Sequence, residues 1–269
     1  MKQNINMKQN IKIFAFLIAV VLLSGIGCVK TQAADMTLKN GKWTNGTLSE
    51  DVTVSYYKVS VKKTGYLKIE YVRDCEDASA VFQICNNKKE KIWKREEKFN
   101  HAATAYFPVK KGTYYICIED IMFHDDGGAD DDDEIVWNET ENYKIKYTFT
   151  AMKEGKKINK LEDAPLLKKK RQVSGLIFPD KKSHDMCYKF IVSKNSKVKF
   201  SYEVFGLWLR IADSKGKFIN FDSKGRIQKK GDSIEWWEGK GSDSVTLPKG
   251  TYYFVIQKWD TGYYKLKLK

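Results

Sequence analysis

Five segments of this 269-residue chain recur in the same order. The pentapeptide KGTYY stands at Lys111 and returns at Lys249. Upstream, YYKVSVKKTGYLKIEY (residues 56–71) is echoed by CYKFIVSKNSKVKFSY (187–202), and ICNNKKEKI (84–92) by IADSKGKFI (211–219). AYFPVKKGTYY parallels SVTLPKGTYY, and NYKIKYTF (142–149) parallels GYYKLKLK (262–269). Ordered echoes predict a tandem duplication. The period is longer than that of solenoid repeats, so each copy is expected to be a domain with its own core. The boundaries this implies are 35–151 for a first module and 152–269 for a second.

The echoed segments read as strands. Tyr57, Val59 and Val61 alternate with Lys58, Ser60 and Lys62, and Leu266 and Leu268 alternate with Lys265, Lys267 and Lys269. A period of two with lysine on one face describes half-buried antiparallel strands. Turn residues separate them at Lys63-Thr64-Gly65, Asn86-Asn87, Asp213-Ser214-Lys215-Gly216, Pro248-Lys249-Gly250 and Asp260-Thr261-Gly262. About eight short strands per copy and no long helix predict an all-β chain of two tandem antiparallel β-sandwiches of jelly-roll type. In this scheme Gly112 and Gly250 turn the chain with positive φ. Thr-Tyr-Tyr then opens a strand with one tyrosine inward and one outward.

Residues 1–34 read as a secretory signal peptide. Lys2, Lys8 and Lys12 precede an apolar run over 13–23, and Ala33 and Ala34 offer a small-residue cleavage site. The run is short of the roughly 20 residues a bilayer span needs. A competing reading is lipid anchoring at Cys28, for which Gly25 and Ile26 fit poorly. The protein is expected to be secreted or attached to the cell surface, without a transmembrane span in its mature form, and monomeric. Cys75, Cys85, Cys117 and Cys187 remain after the leader. Buried thiols on strands are the preferred reading, with a Cys75–Cys85 or Cys85–Cys117 bridge left open.

Charge divides the chain. Residues 35–152 hold 17 basic and 21 acidic side chains, whereas residues 153–269 hold 27 basic and 13 acidic. The second half should be drawn to anionic surfaces in a salt-sensitive way. Lys168-Lys169-Lys170-Arg171, Lys181-Lys182, Lys229-Lys230 and the C-terminal lysines are the basic groups available. No nucleic-acid motif accompanies them, and export removes that partner.

Several motifs resemble the bacterial pre-peptidase C-terminal domain. In the second copy these are Glu162-Asp163-Ala164-Pro165-Leu166, Gly175-Leu176-Ile177, the segment 185–190, the turn at 213–217 and the segment 247–253. The first copy keeps Gly46-Thr47-Leu48, Tyr57-Lys58-Val59 and the segment 109–115, with Asn86 in place of the mid-domain Asp. The resemblance implies a secreted β-sandwich accessory module, in some members binding calcium or a polymeric substrate.

Two places carry candidate chemistry. The copies diverge after the pentapeptide, where the first contains HDDGGADDDDE. Asp125, Asp126, Asp130, Asp131, Asp132, Asp133 and Glu134 are the hard oxygen donors that calcium selects. They lack EF-hand spacing, and a solvated acidic loop is the simpler reading. In the second copy, Glu235, Trp236, Trp237, Trp259 and Asp260 suggest a carbohydrate platform of stacked aromatics with adjacent carboxylates. Of the adjacent tryptophans, one should be core and one exposed. Catalytic signatures are lacking: His101, His124 and His184 form no HExxH, and no GxSxG occurs. The expectation is a non-enzymatic binder of extracellular polysaccharide or anionic wall polymer, needing no cofactor. A secreted hydrolase and a structural envelope protein are the alternatives.

Overall fold

The structure, a computed structural model, describes residues 35–49, 52–73, 79–98, 102–120, 140–158, 160–178, 185–228 and 236–269. The expected signal peptide lies outside them. Among the described residues the chain is nearly all β, with no α-helix. The first half contributes β1 (Met36–Thr37), β2 (Thr44–Ser49), β3 (Val54–Val61), β4 (Gly65–Arg73), β5 (Ser79–Cys85), β6 (Lys91–Lys98), β7 (Ala102–Val109), β8 (Gly112–Asp120) and β9 (Thr140–Ala151). The second contributes β10 (Gln172–Ile177), β11 (Met186–Val192), β12 (Ser196–Ala212), β13 (Trp236–Leu247) and β14 (Gly250–Leu268).

In the first half, one sheet has the order β1-β3-β8-β5-β6 and the other β2-β9-β4-β7. All neighbours are antiparallel except β1 against β3. The alternation read from the sequence sends Tyr57, Val59, Phe82, Ile84, Ile116 and Ile118 inward from one sheet. Leu48, Leu67, Ile69, Ala105, Phe107 and Ile145 meet them from the other. A single apolar cluster between two sheet faces is the core of a β-sandwich.

The second half repeats this pairing with longer strands. β11 pairs the segment 250–256 of β14, and β14 in turn pairs the segment 207–212 of β12. The segment 196–204 of β12 pairs β13, as do Trp208 and Leu209, and the segment 200–205 pairs the segment 263–268 of β14, which also pairs β10. These five strands form one continuous sheet, in which β12 and β14 each span what β4 with β5 and β8 with β9 divide between two sheets in the first half. Their own cluster is centred on Phe190, Phe200, Leu209, Leu247, Phe254 and Leu266.

Three expectations change. The even count of about eight strands per copy becomes nine and five among the described residues, because β12 and β14 run on unbroken. The expected turn at Asp260-Thr261-Gly262 is no hairpin: β14 runs through it, with 259–262 set against the single Gly206 of β12. This corner bends the strand. Gly206 has φ +68, and a Cβ there would strike the Thr261 carbonyl. Gly112 and Gly250 do not take positive φ. Their smallness instead admits the ring two residues on. A Cβ at Gly250 would lie 3.2 Å from the Tyr252 ring, and one at Gly112 3.4 Å from that of Tyr114. Each hydroxyl then reaches back to the turn, Tyr114 to Lys110 O (2.9 Å) and Tyr252 to Pro248 O (3.1 Å). Tyr114 and Tyr252 pack against the cores, while Tyr115 and Tyr253 belong to the opposite faces.

A second repeated device joins strands of each half. Gly46 pairs Tyr143, whose hydroxyl meets that of Tyr57 at 2.6 Å; Gly175 pairs Tyr264, whose hydroxyl meets that of Tyr188 at 2.7 Å. A Cβ at Gly175 would lie 2.6 Å from the Tyr264 hydroxyl, so only glycine leaves room for the pair.

Candidate functional site

The candidate residues named from sequence do not gather into one site. Trp236 is buried at 4% exposure, edge-on to Phe200, with its indole N–H donating to Asp243 Oδ2 at 2.7 Å. It therefore cannot be a sugar platform: the inward face of β13 meets the core there, and the ring fills it. Trp237 lies in β13 and Trp259 and Asp260 at the bend of β14; their side chains lie outside the described residues. So do Glu235 and the acidic segment with Asp125, Asp126, Asp130, Asp131, Asp132, Asp133 and Glu134. Among the described residues no group of three or more His, Cys, Asp or Glu could hold a metal ion.

Cys85, Cys117 and Cys187 are free and buried; Cys28 and Cys75 lie outside the described residues. Burial, with the nearby Asp185 carboxylate, pushes the Cys187 thiol up to about 12. Cys85 and Cys117 sit diagonally across β5 and β8 and share a thiol hydrogen bond, which favours the thiolate at Cys85 and opposes it at Cys117.

The outer face of β10, β14, β12 and β13 carries a different arrangement. Inward residues of β14 are Tyr264, Leu266 and Leu268, so Lys265, Lys267 and Lys269 stand outward. On β12, Phe200 and Val204 point in, which leaves Lys197, Lys199, Ser201 and Glu203 outward. Val245 and Leu247 fix β13 likewise, placing Lys240, Ser242 and Ser244 outward.

Strand register then sorts these residues into rows. One row holds Lys265, Glu203 and Lys240, and the next Gln172, Lys267, Ser201 and Ser242. A third holds Lys199 with Ser244, joined by Lys269 through its N–H to the Lys199 carbonyl; a fourth holds Lys197 with Thr246. Rows repeat every second residue, about 6.8 Å along a strand. Sequence reasoning had picked out the terminal lysines. Their alignment with Lys197, Lys199 and Lys240 needed the register.

A groove of about 380 Å³ runs over the first two rows, lined by Gln172, Ser201, Glu203, Lys240, Lys265 and Lys267. Its one carboxylate is already occupied. Glu203 Oε1 accepts from Tyr263 at 2.7 Å and from Lys265 at 3.0 Å. Burial alone would raise the Glu203 carboxyl, but these hydrogen bonds and the charges of Lys265 and Lys240 outweigh it and hold the group below the usual carboxylate range. Lys269 Nζ donates to Ser242 Oγ at 2.8 Å. What remains for a ligand is a set of donors: ammonium groups, hydroxyls and the Gln172 amide.

The groove abuts the junction of the two halves. Tyr66 of β4 stacks on Tyr263 of β14 with ring centroids 4.1 Å apart and planes 1° from parallel. Tyr106 of β7 leans on Phe205 of β12 at 4.1 Å, and Leu176 completes the cluster. Lys265 lies 6.0 Å from the centroid of Tyr66. On the first-half side, Glu70 is held by Lys68 (2.9 Å) and Lys146 (2.8 Å). A second hollow, of about 490 Å³, lies in the first half among Asn45, Thr47, Val72, Asn142 and Lys144.

No family model matches the chain, and no curated protein matches it. Among solved structures, the chain is similar to the pre-peptidase C-terminal domain of a collagenase from Bacillus anthracis, with 14% identity and a TM-score of 0.32, over 43% of this chain and 95% of that one. It is similar to PliG of Aeromonas hydrophila, a periplasmic inhibitor of g-type lysozyme, with 11% identity and a TM-score of 0.27, over 44% of this chain and all of that one. The PBSX exported protein XepA matches over 92% of this chain and 88% of its own, with 10% identity and a TM-score of 0.22. No helix of the described residues is long and apolar enough to cross a membrane.

Proposed function

We propose that this chain is a secreted, non-catalytic protein built of two copies of one β-sandwich, which binds anionic polymer outside the cell on the lysine rows of its second half. The single observation that carries the reading is that outer face. Among the described residues Lys197, Lys199, Lys240, Lys267 and Lys269 share it with one carboxylate, and Lys265 and Tyr263 hold that carboxylate. A sheet face carrying so many like charges has an unfavourable self-energy, which a polyanion relieves. Solvating lysines protect exposed sheet edges, but these stand on the face of interior strands as well. The two-copy reading is supported by the repeated pairing plan and by the two glycine–tyrosine–tyrosine devices. Binding needs no cofactor and leaves the polymer intact.

The test is retention of the exported protein on a sulfated polysaccharide resin and on a neutral glucan resin across a salt series. Retention on the charged resin is expected to fall steeply between about 50 and 200 mM salt. Equal retention on the neutral resin, or retention indifferent to salt, would overturn the reading. The eluted polymer should keep its length.

A further inference from the structure

The spacing of the lysine rows specifies the ligand further. We infer that the face takes a linear phosphodiester polymer with a three-carbon spacer between phosphates, lying along the strand direction. This rests on the polyanion reading above.

Successive rows present Lys240 beside the clamped Glu203, then Lys267, then Lys199 with Lys269, then Lys197. A period of two residues sets the rows about 6.8 Å apart along the strands, with the ammonium groups carried on the three neighbouring strands β13, β12 and β14. A ligand meets every row only if its charges recur at that interval. Three bonds of an extended chain cover about 3.5 Å, so the six bonds between phosphorus atoms of such a polymer cover about 7 Å. Inorganic polyphosphate has charges two bonds apart, and most of them would face no ammonium group. An extended acidic peptide alternates its carboxylates between two sides, so half of them point away from the face. Its own backbone N–H groups also need acceptors, and the one carboxylate among the described groove residues is engaged.

The row of Lys267 offers Ser201, Ser242 and Gln172 beside the ammonium group. These neutral donors suit a group with two unbridged oxygens sharing one charge. No arginine lines the groove, so recognition uses point charges and not a planar fork.

The experiment compares poly(glycerol phosphate), inorganic polyphosphate and poly-glutamate of equal charge number, by fluorescence anisotropy with the exported protein at two salt concentrations. The diester polymer is expected to bind at least tenfold more tightly than either of the others. The double substitution Lys199→Gln with Lys267→Gln should weaken diester binding about tenfold and reduce the slope of log K against log salt by about two. Lys88→Gln with Lys215→Gln, on exposed turns away from the rows, should change neither. A second ladder variant, Lys197→Gln with Lys240→Gln, repeats the test should the first lose its near-UV circular dichroism. Equal affinity for the three polymers overturns the inference and leaves the polyanion reading standing, whereas ladder variants that bind as the unsubstituted protein does overturn both. Binding to none of the three overturns both.

Discussion

Glu203 shows how single residues set the character of the groove. Among the described residues it is the only acid on a face of lysines, and Tyr263 and Lys265 both donate to it. Its folded-state ionisation lies below the usual carboxylate range, since these partners outweigh the burial that opposes them. A carboxylate depressed in this way adds stability above its unfolded pKa and loses it as the pH falls through the folded value. Glu203→Gln should therefore remove part of the stability lost on acidification below about pH 4.3, while at pH 7 it lowers the melting temperature. Thermal melts of both proteins between pH 7 and 3 check this; parallel curves would refute it. Lys89 is a residue-scale compromise of another kind. It occupies the left-handed region (φ 63) in a turn whose second-half counterpart uses Gly216 (φ 82). Asn86 Oδ1 accepts from the Lys88 and Glu90 N–H groups there, as Asp213 does from Lys215 and Lys217. The lysine is held by Asp35 at 2.7 Å and by the Tyr56 ring at 4.8 Å.

At the scale of elements, β12 and β14 decide the form of the second half. Each runs unbroken through a register shift, which places Gly206 against 259–262. Two penalties coincide for any side chain at Gly206: a left-handed backbone and a clash with the Thr261 carbonyl. Gly41 has nearly the same φ (+73) but open space around its absent Cβ. Gly41→Ala is expected to cost about 1 kcal/mol, the conformational part alone. Gly206→Ala should cost about 2–5 kcal/mol, because overpacking adds to it. Urea denaturation of the two variants separates the terms, and equal losses would contradict this account of the bend. The corner is also where the halves differ. The first half reaches β9 from β8 through 121–139, which includes the acidic segment, whereas β14 turns the same corner within a strand.

At the scale of the molecule, the two cores meet through rings. Tyr66 and Tyr106 of the first half pack against Tyr263, Phe205 and Leu176 of the second, and Met152 N donates to Thr64 O at 3.2 Å beside them. The stacked pair also buries the Tyr263 hydroxyl that clamps Glu203, so the junction and the groove share a residue. Tyr66→Ala should remove the stack without touching either core. Calorimetry is expected to show the single unfolding transition of the unsubstituted protein broadening or splitting into two, with a total loss of about 2–4 kcal/mol. An unchanged single transition would mean that the halves are coupled elsewhere.

Local chemistry determined much of this protein. Alternating Tyr57-Lys58-Val59 and Leu266-Lys267-Leu268 fix strands and their inward faces, because side chains alternate across a pleated backbone whatever surrounds it. The ordered echoes likewise match the recurring pairings β3–β8 and β11–β14. Tertiary structure alone decided the rest. Which of Trp236 and Trp237 turns inward depends on the phase of β13 against β12, and both phases are equally consistent with the sequence. The meaning of Gly112 and Gly250 depends on a ring two residues away, not on their own φ. The lysine rows depend on register between residues up to 95 positions apart, from Gln172 on β10 to Lys267 on β14, and register is a property of the packed sheet.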